Sequence, residues 1–321
     1  MHIFDSLVGN LMVPTILFFV LGLLAAAVRS DLSIPEGAAK ILSLYLLLAI
    51  GFKGGHSLAA NGLGADVFSA LAAGLLLSFA IPFIAYALLR AMTRLNALNA
   101  AAVAGHYGSI SIVTFVAASS LLDLAGFASD GFMVAVAAMM EVPAILSALW
   151  IAQRTATPGG AGRVPMRELF ANGSIVLLTG AFVIGALTQD KGMEMIAPFV
   201  VTPFTGILCL FLLDMGLAAG RSLLRNRHLL SAGMFAFGLL MPVIGAMLAM
   251  GLGAVVGLQT GSLFLLMVLA ASASYIAVPA AMKIALPQAE AGIYLTLSLG
   301  VTFPFNITVG LPLYLWLAGL V

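Results

Sequence analysis

Apolar residues run through this chain in long uninterrupted blocks, and polar residues gather at the joints between them. The blocks are roughly 20 residues long, the length an α-helix needs to cross a bilayer. Their ends predict ten spans, near residues 11–28, 38–54, 66–89, 97–121, 131–153, 172–189, 197–219, 232–257, 261–285 and 290–318. A transmembrane β-barrel would alternate in segments of about ten residues, and no such pattern occurs. The fold class is an all-α polytopic membrane protein with ten transmembrane helices.

Two blocks carry small polar residues near their middles. The fourth contains Ala104-Gly105-His106-Tyr107-Gly108-Ser109-Ile110-Ser111-Ile112-Val113-Thr114, and the ninth contains Ser272-Ala273-Ser274. Helical backbone breaks at membrane depth only where it is buried in protein or lines a cavity. In secondary transporters such breaks mark the substrate site. Helices 4 and 9 are therefore predicted to be broken.

The two halves also match each other in order. Gly22 and Pro35 correspond to Gly185 and Pro198, and Leu44–Gly55 to Cys209–Gly220. Gly74 corresponds to Gly238, Ser109-Ile110-Ser111 to Ser272-Ala273-Ser274, and Gly131 and Pro143 to Gly292 and Pro304, all at offsets of 161–165 residues. Each half has five spans, an odd number, so two such repeats are inverted in the membrane, a transporter signature. The division is a first repeat over 1–153, a Gly- and Pro-containing cytoplasmic linker over 154–171, and a second repeat over 172–321.

Composition sharpens this picture. Of 321 residues, 63% are hydrophobic and 8% charged, with mean hydropathy +1.18, against about 25% charge in a soluble domain. The few basic residues are unevenly placed. Odd-numbered connections and their helix ends hold Arg29, Lys40, Arg90, Arg94, Arg154, Arg163, Arg167, Arg221, Arg225, Arg227 and Lys283, whereas even-numbered ones hold Lys53 and Lys191. Positive charge stays in the cytoplasm, so both termini are expected outside it. The first apolar run lacks the basic flank and cleavage site of a signal peptide. A net charge of +1 points to no nucleic-acid partner, and the single Cys209 forms no internal disulfide. No Walker motif or Cys/His cluster is present, so neither direct use of ATP nor a resident cofactor is expected.

The broken helices supply the candidate chemistry. Half-helices that begin at mid-membrane present unpaired N–H groups and about half a positive charge. Facing each other, with Ser109, Ser111, Ser272 and Ser274 between them and Gly108, Ile110 and Ala273 completing the two segments, they would hold a small anion. The competing account is that membrane serines bond back to carbonyls or let helices pack closely. Glu141 falls near the centre of the fifth span, where a carboxylate costs about 2.5–3.5 kcal/mol and needs a partner. Pro143 frees a carbonyl one turn upstream, around Met139. In the matching place of the second repeat, Thr302 and Asn306 lie on one helix face at i, i+4. These hard oxygen ligands suit an alkali cation at Glu141, Thr302 and Asn306; proton binding at Glu141 and a structural hydrogen bond are the alternatives. Asp214 offers a ligand for a second cation, with partial solvation near the interface as the equal alternative. His106 and Ser109 at i, i+3 leave a reading from another class, an intramembrane serine hydrolase.

The Gly105–Ser111 segment, the run Met139-Met140-Glu141-Val142-Pro143-Ala144-Ile145 and the ten-span layout together resemble the sodium-dependent bicarbonate transporter family of bacteria. The resemblance implies a non-enzymatic, multi-pass symporter of the plasma (inner) membrane, a homotrimer whose core part moves against a gate part in an elevator-like manner. It implies bicarbonate held around Ser109, Ser111, Ser272 and Ser274, with sodium nearby as the coupling ion. Cyanobacterial members pair with a small PII-like regulator on the cytoplasmic side, so the resemblance extends to a partner of that kind. Within transport, the rival is a proton-coupled carrier of another small anion.

Overall fold

The computed structural model describes residues 13–62, 64–155 and 173–321. Among them every regular element is helical. The first half comprises α1 (Pro14–Ala27), α2 (Glu36–Asn61), α3 (Ala65–Met92), α4 (Ala97–Gly108), α5 (Ile112–Ala125), α6 (Met133–Met139) and α7 (Glu141–Thr155). The second comprises α8 (Gly173–Val200), α9 (Phe204–Asn226), α10 (Ala232–Val256), α11 (Thr260–Ala271), α12 (Ala277–Ala285) and α13 (Ala291–Ala318). Seven stretches among the described residues are long and apolar enough to cross a membrane: α2, α3, α4 with α5, α6 with α7, α9, α10 and α13.

Local sequence explains where these helices start and stop. Asn96 caps α4 by accepting from Asn99 N–H, Ser111 caps α5, and Ser231 caps α10, each satisfying a donor that has no helical partner. Gly126 and Gly257 close α5 and α10 at φ 73° and 79°, a left-handed turn that glycine adopts without strain. The predicted linker lies outside the described residues beyond Thr155, as do residues 1–12.

Two helix pairs are closely seated. On the α1–α9 seam Gly22 faces Gly216, and a methyl added to Gly22 would overlap the Leu213 carbonyl. On the α2–α8 seam Gly51 and Gly55 face the Leu178–Phe182 backbone, while Gly185 rests on the Phe52 carbonyl. Lipid supplies no hydrophobic drive between helices, so backbone contact across small residues is what holds such pairs. Elsewhere α3 packs on α4, α7 and α10, α4 on α7, and α10 on α11. With α5, α13 and the links at Ser109–Ser111 and Ser272–Ile276, this larger group carries most of the buried polar side chains among the described residues.

The sequence pattern ends the sixth span at 189 and begins the seventh at 197. In the structure α8 breaks at Gln189 (φ 49°, ψ −141°), where the sixth span is predicted to end; a second helical segment follows to Val200, and α9 starts only at Phe204. By contrast α2 reaches Asn61 rather than 54, past the glycines that mark an end by composition.

Candidate functional site

The breaks in the fourth and ninth spans fall at Ser109–Ser111 and Ser272–Ile276. Ser109 (φ −90°, ψ 159°), Ser111 (φ −104°, ψ 107°) and Ser272 (φ −83°, ψ 162°) are extended, so each chain crosses mid-bundle as a short strand-like link. The links bond to each other. Ser111 N–H donates to Ser272 Oγ at 2.8 Å, and Ser274 N–H donates to the His106 carbonyl at 2.7 Å. All four serines are buried.

Their hydroxyls are already engaged, each differently. Ser109 Oγ donates to Glu141 Oε2 at 2.8 Å, and Ser272 Oγ donates back to the Leu269 carbonyl at 2.8 Å. Ser111 Oγ accepts from Thr114 Oγ1 at 2.9 Å and from Thr114 N–H at 3.3 Å; Ser274 Oγ accepts from Val278 N–H at 3.4 Å. The four side chains thus meet at one crossing, but they do not form a ring of open hydroxyls. At the start of α5, Ile112 and Val113 precede the helical ladder, so their N–H groups lie free of it.

Glu141 opens α7 directly after the interruption at Met140. Pro143 has no N–H and its ring crowds the preceding turn, which accounts for that interruption. The exposed Met140 carbonyl accepts from Ser78 Oγ on α3 at 2.6 Å. Glu141 is 8% exposed, with the Ser109 hydroxyl as its hydrogen-bond partner among the described residues.

Thr302 and Asn306 lie in π-helical turns, Thr296–Thr302 and Asn306–Gly310. They reach different neighbours. Thr302 Oγ1 bonds Tyr107 OH at 2.7 Å and donates to the Gly238 carbonyl at 2.7 Å. Asn306 Nδ2 donates to the Ala271 carbonyl at 2.8 Å, while its Oδ1 accepts from Tyr314 OH at 3.0 Å. Neither bonds Glu141, but Tyr107 stands two residues before Ser109 and Ala271 stands next to Ser272. The crossing, Glu141 and the π turns therefore form one buried polar region. Tyr107, Ser78 and Tyr314 belong to it as well. The signal for the tyrosines is in the sequence, because a tyrosine deep in an apolar span must find a partner for its hydroxyl.

Asp214 is half-buried on α9 and bonds none of Glu141, Thr302 and Asn306. Among the described residues no cluster of three or more His, Cys, Asp or Glu side chains converges on a metal position. The hydrolase reading requires His106 to take a proton from Ser109. Instead His106 Nδ1 bonds the Ala102 carbonyl at 2.7 Å, and Ser109 donates to a carboxylate. That geometry does not activate a nucleophile.

A cavity of ≈ 280 Å³ lies at the end of the bundle where α2 and α5 finish. Lys53, Asp123 and Asp130 lie around it, and Phe115 in the first turn of α5 lines it. Lys53 Nζ pairs with Asp123 Oδ2 at 3.3 Å. Ser262 Oγ donates to Asp130 Oδ2 at 2.7 Å.

Compared with known families, residues 14–319 match the model of the Na+-dependent bicarbonate transporter superfamily. No curated protein matches the sequence.

Proposed function

The chain belongs to the Na+-dependent bicarbonate transporter superfamily, and from that premise we propose that it is a sodium-coupled symporter importing bicarbonate across the bacterial inner membrane. Family membership makes it a multi-pass transporter and not an enzyme. The further steps, that sodium drives uptake and that movement is elevator-like, are our reading.

One observation carries it: Ser109 Oγ donates to Glu141 Oε2 inside the crossing. The anion segment (Gly108, Ser109, Ile110, Ser111, Ser272, Ala273 and Ser274) adjoins the cation ligands through a single hydrogen bond. Free N–H groups at the start of α5 suit the anion. Glu141, Thr302, Asn306 and the carbonyls around them are hard oxygen donors that suit sodium, with Asp214 on α9 a ligand for a second ion. An ion that neutralises Glu141 releases the Ser109 hydroxyl toward the anion, and coupling follows from that exchange.

Several features support ten spans in two inverted repeats, 1–153 and 172–321. Gly22 against the Leu213–Leu217 backbone on one seam has its counterpart in Gly185 against the Phe52 carbonyl, next to Gly51, on the other. The α3–α4 contact is likewise repeated as α10–α11. Elevator-like motion is supported by the split into a glycine-seamed body of α1, α2, α8 and α9 and a body holding the crossing. The charge bias places both termini outside and residues 154–171 inside. On that orientation the Lys53 cavity faces outward. A homotrimer, and a PII-like regulator on the cytoplasmic face, extend the reading by family analogy.

The test is uptake of radiolabelled bicarbonate into proteoliposomes at fixed pH, with an inward gradient of sodium or of potassium. Uptake with sodium alone is expected. Folded, inserted protein that imports nothing with either cation would remove the bicarbonate assignment, and equal uptake with both would remove sodium coupling.

A further inference from the structure

His106 is fully buried in the last turn of α4. Its Nδ1 lies 2.7 Å from the Ala102 carbonyl, and a carbonyl only accepts, so Nδ1 carries a proton. In the neutral ring Nε2 is then a bare acceptor. That atom is buried without a hydrogen-bond partner among the described residues. The ring is fixed in place: it stacks on Tyr294 of α13, centroids 4.4 Å apart and planes 25° apart. The His106 carbonyl also receives Ser274 N–H, one of the two bonds that tie the breaks together.

Buried polar atoms are nearly always paired, so an orphan three residues before Ser109, on a residue whose carbonyl bonds the second break, points to a partner that comes and goes. The groups at the crossing with donating capacity left are N–H groups at the start of α5 and the Ser111 and Ser274 hydroxyls, which accept in the bonds they make. The other orphan, the Tyr275 hydroxyl near Ser111, can donate or accept and does not discriminate. Donors satisfy the charged oxygens of any oxyanion. Hydrogen carbonate alone among common planar monovalent oxyanions of its size also carries an O–H, which needs an acceptor. Nitrate has the same shape and charge but no hydrogen.

We propose that His106 Nε2 accepts the hydrogen bond from the O–H of hydrogen carbonate held at the crossing, which makes His106 a specificity-determining residue. The inference rests on the bicarbonate reading above. A site built to bond a substrate hydroxyl rejects the analogue lacking it, because the buried partner is then left unpaired.

The experiment measures the KM for radiolabelled bicarbonate and inhibition by nitrate at saturating sodium in proteoliposomes. In the unaltered protein, nitrate should inhibit with a constant at least about tenfold above the bicarbonate KM; equal constants would overturn the proposal. His106→Phe keeps the ring stack and removes the acceptor. It should raise the bicarbonate KM about tenfold or more and leave the nitrate constant and sodium half-saturation in place, while His106→Gln, which restores an acceptor oxygen, should recover part of the loss. If both anions weaken by the same factor, or neither changes, His106 is structural. Absence of sodium-driven bicarbonate uptake in the unaltered protein would instead overturn the underlying reading, and this one with it.

Discussion

Replacing Ser109 by alanine removes the hydroxyl that donates to Glu141 Oε2 across 2.8 Å in a buried site. A hydrogen bond to a charged group contributes about 1.5–3 kcal/mol. With tenfold in affinity for each 1.4 kcal/mol, the bond is worth roughly ten- to a hundredfold. On the proposed exchange, the hydroxyl belongs to the carboxylate in the sodium-free protein and turns to the anion once a cation is bound. Sodium should therefore tighten anion binding, and the anion should tighten sodium binding by the same factor. Ser109→Ala deletes the shared group, so that factor should shrink by roughly ten- to a hundredfold, toward independence of the two ions. The assay is equilibrium binding of radiolabelled bicarbonate to purified protein at zero and saturating sodium, repeated on the variant. Ser147→Ala, which loses only a bond to the Phe79 carbonyl, serves as the control. An unchanged sodium effect in folded Ser109→Ala protein would refute the exchange of the hydroxyl between the ions.

Three further predictions concern the scaffold. Gly55→Ala drives a methyl into the Phe182 carbonyl and should destabilise by about 1–3 kcal/mol, seen as an earlier melting transition in detergent. Thr302→Val should lower the melting temperature more than Tyr107→Phe does. The former orphans both Tyr107 OH and the Gly238 carbonyl, whereas the latter leaves Thr302 its carbonyl. Lys53→Ala breaks an ion pair whose side chains are 33% and 64% exposed; it should change stability by less than about 1 kcal/mol, and a larger drop would mean the pair is more than a surface contact.

Sequence alone located both breaks to within a residue or two, because small polar residues in the middle of an apolar block have few other reasons to be there. Glu141 was legible as a deep carboxylate in need of a partner, but the partner was not. The i, i+4 spacing of Thr302 and Asn306 puts them on one face but does not name their partners, Tyr107 and the Ala271 carbonyl, which come from α4 and the end of α11. Ser109 and Glu141, 32 residues apart, meet only through the tertiary arrangement of α4 and α7. The break at Gln189 was legible because polar residues interrupt the apolar block there; the helical segment that follows it to Val200 was not.

The glycine seams also set a timetable for biogenesis. Gly22 meets the Leu213 backbone, and Gly55 meets Phe182, so neither α1 nor α2 finds its mate within its own half. At about 5–20 residues per second, the roughly 190 residues between Gly22 and Leu213 take roughly 10–40 s to synthesise. Until its own partner is made, each early helix faces lipid or the insertion machinery with its glycine face uncovered, α1 for longer than α2. Nascent chains that stall before Phe182 should consequently be poor folders and good protease substrates, however apolar their spans. The second half of the chain acts as the chaperone of the first.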